Sequence, residues 1–207
     1  MNTYNTISRS ASAEQVIERS HFIGYVKPVS SIDECEEFFE EIRKKHRDAS
    51  HNVPAYVIGD SMQLQWAGDD GEPRGTAGAP VIHMITKEGI SDIAVVITRY
   101  FGGTKLGTGG LVRAYTSSAR MAIQEAGLSR VCEQLVINCS MNYSHYNKFE
   151  GYPNKMFVID NVVFTEAVTI DIALDPSDRD KTLELLSVIA SSTELISETI
   201  RTIKIPI

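Results

Sequence analysis

In the stretch DIAVVITRYF, residues 92–101, both alternate sets of positions are apolar through Ile97. That pattern predicts a strand buried on its two faces at the centre of a sheet. Upstream, AEQVIERS and HFIGYVKPV between Ser12 and Val29 predict two short extended segments, the second ending at a proline. Ser31 with Glu34 three residues later forms a capping box, and Ile32, Cys35, Phe38, Phe39 and Ile42 recur at helical spacing up to the basic run Arg43–Arg47. Cations at the end of a helix suit the negative end of its dipole, so a solvated helix C-terminus explains that run. VPAYVIG and SMQLQWAG predict a hairpin around Gly59 and Asp60, with Trp66 entering the core from a strand end. DDGEPRGTAGAP predicts a structured turn before a short helix, APVIHMITKE. LVRAYTSSARMAIQEAG predicts a helix closed by Gly127, with Leu111, Tyr115, Ala119, Ala122 and Ala126 as its apolar stripe. Its many small residues let it approach a sheet closely.

From residue 131 the rhythm changes. VCEQLVINCSM is strand-like, NYSHYNKFEGY helix-like, KMFVIDNVVFT and EAVTIDIAL strand-like, DRDKTLELLSVIAS helical after Pro176, and ELISETIRTIKIPI a last strand. The order β-α-β-β-α-β is the split ferredoxin-like pattern. The expected class is therefore α+β: an N-terminal α/β sandwich over 1–130 and a ferredoxin-like domain over 131–207.

Composition narrows the function classes. With 43% hydrophobic and 23% charged residues, the 207-residue chain reads as ordinary folded protein. Cys35, Cys132 and Cys139 are odd in number and lack C-x-x-C spacing, which argues against a disulfide framework or a zinc site. The absence of a signal-like or membrane-spanning apolar run points to a cytoplasmic protein with no membrane partner. The net charge of -7 would repel a polyanion, and it divides as -2 before residue 131 and -5 after it. Any nucleic-acid contact is thus expected as a local patch in the first part.

RYFGGTKLGTGGLVRAY, residues 99–115, supplies such a patch: five glycines, Gly102, Gly103, Gly107, Gly109 and Gly110, with Arg99, Lys105 and Arg113 and no acid. A glycine-rich turn between strand and helix can aim several backbone N–H groups at one anion. Nucleotide fingerprints fail, since Thr108 stands where a P-loop needs lysine and Val112 where a dinucleotide motif needs glycine. Purely conformational glycines with routine surface cations are the bland alternative. Arg99 should emerge at the strand end beside the loop. A polar site could also be built from His51, Asp70 and Glu72, with carboxylates for acid and base work, although Asp-Gly and Glu-Pro are ordinary turn chemistry and a lone histidine commonly anchors structure. No catalytic residue, metal site or cofactor is assigned. Trp66 and Tyr100 offer stacking surfaces for a base.

SHNVPAY, DDGEPRGTAGAP and VVITRYFGGTKLGTGGLVRAY, in that order, resemble the IMPACT/YigZ family over residues 15–127. The resemblance implies an N-terminal two-layer α/β fold shared by a small-subunit ribosomal protein and domain IV of elongation factor G, and a C-terminal domain similar to domain V of that factor. It also implies a role in translational control: eukaryotic relatives bind a regulator of an initiation-factor kinase, and bacterial ones are suspected of binding nucleic acid. Where family members commonly carry an aromatic residue or cysteine after the His-Asn pair, this chain has Val53-Pro54. The leading expectation is a non-catalytic module that binds RNA or the ribosome through Arg74, Arg99, Lys105 and Arg113. The alternatives are an enzyme acting on a phosphorylated small molecule, or an adaptor binding a protein partner through its C-terminal sheet.

Overall fold

The computed structural model describes residues 3–153, 156–190 and 193–207. The expected strand start at Lys155 and helix end at Ser191 lie outside them. The chain forms two compact units, one running to Val131 and including Lys204–Ile207, the other Cys132–Ile203. The class is α+β, with antiparallel sheets and packed helices.

The first unit opens with β1 (Tyr4–Ile7), a short strand that the hydrophobic pattern did not announce. Its main sheet comprises β2 (Ala11–Ile17), β3 (Ser20–Pro28), β4 (His51–Ile58), β5 (Leu64–Ala67) and β6 (Ile93–Tyr100). The spatial order is β2-β3-β6-β4-β5, every neighbour antiparallel, so the doubly apolar β6 is the central strand. Its two faces feed two cores. Ile93, Val95 and Ile97 pack with α2 (Gly78–Lys87) and α3 (Gly107–Ala126), while Ala94 and Val96 pack under α1 (Ile32–Lys45). The unit is therefore three-layered, where a two-layer sandwich was expected. A sheet apolar on both faces must be covered twice.

α1 starts on the expected cap, the Ser31 hydroxyl accepting from the Glu34 N–H at 3.3 Å. α3 lies so close to β3 that a Cβ on Gly24 would fall 2.5 Å from the Ser118 carbonyl oxygen. The small residues of α3 permit that approach. Trp66 departs from expectation: it is 48% exposed, because β5 is an edge strand and α1 covers β4 and β6.

In the second unit β7 (Leu128–Met141) pairs with β9 (Val168–Leu174), which pairs with β8 (Phe157–Phe164). β10 (Glu194–Pro206) also pairs with β7. Leu135, Ile137, Cys139 and Met141 alternate onto the face covered by α4 (Tyr143–Glu150) and α5 (Arg179–Ile189). β7 begins three residues earlier than the strand expected from Val131, and Leu128–Val131 pairs with β1. Among the described residues no helix is long and apolar enough to cross a membrane.

Candidate functional site

The register of the first sheet sets His51 opposite Arg99 on one side and Phe22 opposite it on the other. Arg99 takes the same face of β6 as Ile93, Val95 and Ile97, and its side chain points toward α3. It does stand beside the glycine segment, but it is buried, where a surface cation was one expectation. Its guanidinium carbon lies 5.3 Å from the Phe22 ring centre and 5.4 Å from that of Phe101. Nη1 donates to Glu72 Oε1 at 2.6 Å, and Nη2 to Ser20 Oγ at 3.2 Å. Among the described residues its Nε–H finds no acceptor, so the rings are its remaining contacts.

Glu72 is the counter-charge. Its Oε1 also accepts from the Tyr115 hydroxyl at 2.7 Å, and His51 Nε2 stands 3.7 Å away. Burial, and then the bond to Glu72, push the Tyr115 phenol far above its ordinary pKa. That hydroxyl is a fixed donor at any working pH. His51 Nδ1 lies 2.7 Å from the Asp70 carbonyl oxygen, which can only accept, so Nδ1 carries the proton and Nε2 turns toward Glu72.

The turn that delivers Glu72 is held by its two aspartates. Asp70, at a positive φ of 44°, accepts the Asn52 N–H at 2.6 Å. Asp69 accepts from Gly75 at 2.7 Å, Ala77 at 3.1 Å and Gly78 at 2.9 Å, the last two at the start of α2. Partial burial raises the Asp69 carboxyl, but those amides and Arg74 outweigh it and hold its pKa below the usual value. Ser20 was not singled out from sequence, Tyr115 was read only as part of an apolar stripe, and Asp69 only as one of the carboxylates of the DDGEPRGTAGAP turn. Each acts through a partner at least six residues away along the chain, which leaves no local signal.

The glycine segment divides between loop and helix. Gly102 and Gly103 precede α3, whereas Gly107, Gly109 and Gly110 form its first turn. Among the described residues no side chain caps that end, and the first-turn amides have no intrahelical acceptor. A cavity of about 460 Å³ opens beside it, with His51, Glu72, Arg99 and Phe101 on one wall and Lys105, Gly107 and Thr108 on the other. Lys105 and Arg113 also border a neighbouring cavity with Glu18. Lys105, Arg113 and Arg74 are exposed and enter no ion pair among the described residues. Three motifs thus meet in one place: a neutralised Arg99–Glu72 pair beneath, with free helix amides and solvated cations above. Among the described residues no cluster of histidine, cysteine and acidic side chains could hold a metal ion.

Comparison with known proteins identifies the family. The Impact N-terminal domain matches residues 18–123, which include all three motifs. The chain is 34% identical to the IMPACT family member YvyE of Bacillus subtilis over 96% of its own length and 92% of the relative's. It is 39% identical to the IMPACT family member YigZ of Escherichia coli, over 55% of this chain and 57% of that one. The crystal structure of a hypothetical protein superposes with a TM-score of 0.61 at 28% identity, covering 95% of this chain and 98% of the other. With its hallmark segments gathered around one cavity and its near full-length match to YvyE, the chain belongs to the IMPACT/YigZ family.

Proposed function

We propose that the chain is a non-catalytic, cytoplasmic module of translational control that docks on RNA or a ribosomal surface through the start of α3. One observation carries the reading: among the described residues the first turn of a 20-residue helix has no side-chain cap and stands beside Lys105 and Arg113, while Arg74 follows Pro73 of the cavity wall along the chain, and all three cations are exposed and in no ion pair. Unsatisfied amides and the positive end of the helix dipole favour an anion, and phosphate backbones supply a row of them. In this reading Arg99 holds the floor of the site through Glu72, and the three exposed cations meet phosphate. The likeness of residues 131–207 to domain V of elongation factor G that the family resemblance implies favours a ribosomal partner. So does the translational role that the family resemblance implies.

Co-sedimentation with ribosomes and their subunits across a salt series tests this. Wild type should bind with an affinity that falls as salt rises, and the Lys105→Glu, Arg113→Glu double reversal should lose binding. Binding that ignored salt, or survived the reversal, would refute the mechanism.

A second reading follows from His51 Nε2, which faces the same cavity beside Glu72: an enzyme for a phosphorylated small molecule, with Glu72 as base. Thermal stabilisation by a nucleotide or sugar phosphate would favour it.

A further inference from the structure

On the opposite face of the same sheet, three aromatic rings form an open stack. Trp66 lies directly across from Tyr56 in the β4–β5 register, ring centres 6.0 Å apart and 27° from parallel. Phe39 of α1 completes it, 6.5 Å from Tyr56 and 6.2 Å from Trp66. They line a groove of about 500 Å³ at the edge of the sheet. Trp66 is 48% and Ile32 38% exposed in the groove, and Leu64 beside Trp66 on β5 is 45% exposed, so large apolar side chains stay in contact with water along this edge.

Charge decides what fits. Glu36 and Glu40 stand on the rim, and Arg43, the cation there, is already paired with Glu40. The exposed side of α1 continues the acidic surface with Asp33, Glu37 and Glu41. A π face attracts a cation, and flanking carboxylates add a counter-charge. The same carboxylates repel phosphate, which disfavours a stacked nucleic-acid base on Trp66. The edge of the sheet supplies the backbone half of recognition: β5 pairs only with β4 among the described residues, so its outer N–H and C=O groups can take an added strand. Leu64 and Trp66 share a face, so an added strand would send alternate side chains over the same groove.

We propose that this groove binds an extended basic segment of a partner protein, an arginine or lysine side chain lying over Trp66 between Glu36 and Glu40. It is a different surface from the α3 site and does not depend on that reading. Trp66 is the sole tryptophan of the chain, so its fluorescence reports on the groove directly.

The test titrates the full chain with a capped peptide of alternating glycine and arginine, a matched glycine–glutamine peptide, and oligouridylate. The arginine peptide should saturably change Trp66 emission and the glutamine peptide should not. In a Glu36→Gln, Glu40→Gln variant the arginine peptide should bind about tenfold more weakly. With labelled peptide and anisotropy detection, Trp66→Ala should lose binding while its thermal unfolding stays cooperative. Three results would overturn the proposal: no response to the arginine peptide, equal affinity in the double glutamine variant (attraction to net negative charge alone), or saturable quenching by oligouridylate in place of the peptide.

Discussion

Glu72 and Arg99 are 27 positions apart and belong to different motifs, yet their 2.6 Å pair joins two of the three hallmark segments. Both are almost wholly buried, so removing one partner leaves a desolvated charge. Glu72→Ala should therefore cost about 3 kcal/mol or more in urea unfolding, far beyond the cost of a surface pair. Replacing both residues, Glu72→Ala with Arg99→Met, should recover part of that loss, because no uncompensated charge remains. A second residue-scale prediction concerns His46, whose ring spans two phenols, Nε2 2.7 Å from the Tyr25 hydroxyl and Nδ1 2.8 Å from that of Tyr100. Burial, with Lys45 nearby, lowers its pKa, although Asp48 pulls the other way. Below an unfolded value of about 6.5, the unfolded chain takes up a proton that the folded one refuses. Stability should fall as pH drops from there toward the folded pKa and level off below it. Melting temperatures of wild type and His46→Gln between neutral and mildly acid pH check this, and the variant should show the shallower slope.

At the scale of elements, the start of α3 separates two uses of glycine. A Cβ at Gly102 would fall 2.0 Å from the Arg19 carbonyl oxygen, in a β2–β3 turn already held at positive φ, whereas at Gly109 the nearest atom is the movable end of Arg113 at 3.6 Å. Gly102→Ala should lower the melting temperature by several degrees, while Gly109→Ala should leave it unchanged or raise it, since alanine favours a helix interior. If the α3 amides meet phosphate, Gly109→Ala should still weaken ribosome co-sedimentation by obstructing close approach. Much of this architecture was legible in the chain. The doubly apolar run marked β6 as central, and the capping box marked the start of α1. The extent of α3 was not, because glycines in a first turn read as loop when no side chain caps the helix. Trp66 was misplaced for a tertiary reason: its sequence neighbours announce a strand but not that α1 stops short of the sheet edge. The three cations were visible as a group, yet only the register shows Arg99 turned inward and paired while Lys105 and Arg113 stay in water.

For the whole molecule, the decisive feature is that each unit has its own core. Tyr115, Phe22 and Ile97 belong to one, and Ile137, Ile172 and Phe149 to the other. Folding free energy is therefore assembled twice, and a cavity cut in one core is felt first by that unit. Ile172 is fully buried in β9, and Ile172→Ala should cost about 2–5 kcal/mol. Trp66 lies in the first unit, so its fluorescence follows only that unit's melting, while far-ultraviolet circular dichroism follows both. In urea the two signals should separate in the variant, the dichroism losing amplitude at lower denaturant while the tryptophan transition keeps most of its midpoint. A common shift of both signals would mean that the two units unfold as one cooperative block, and mutations in the second unit would then act on the proposed ribosome binding through global stability. If the signals separate, Ile172→Ala becomes an instrument for function. Conditions that unfold the second unit alone can be used to ask whether salt-sensitive co-sedimentation survives, and if α3 carries that contact, it should.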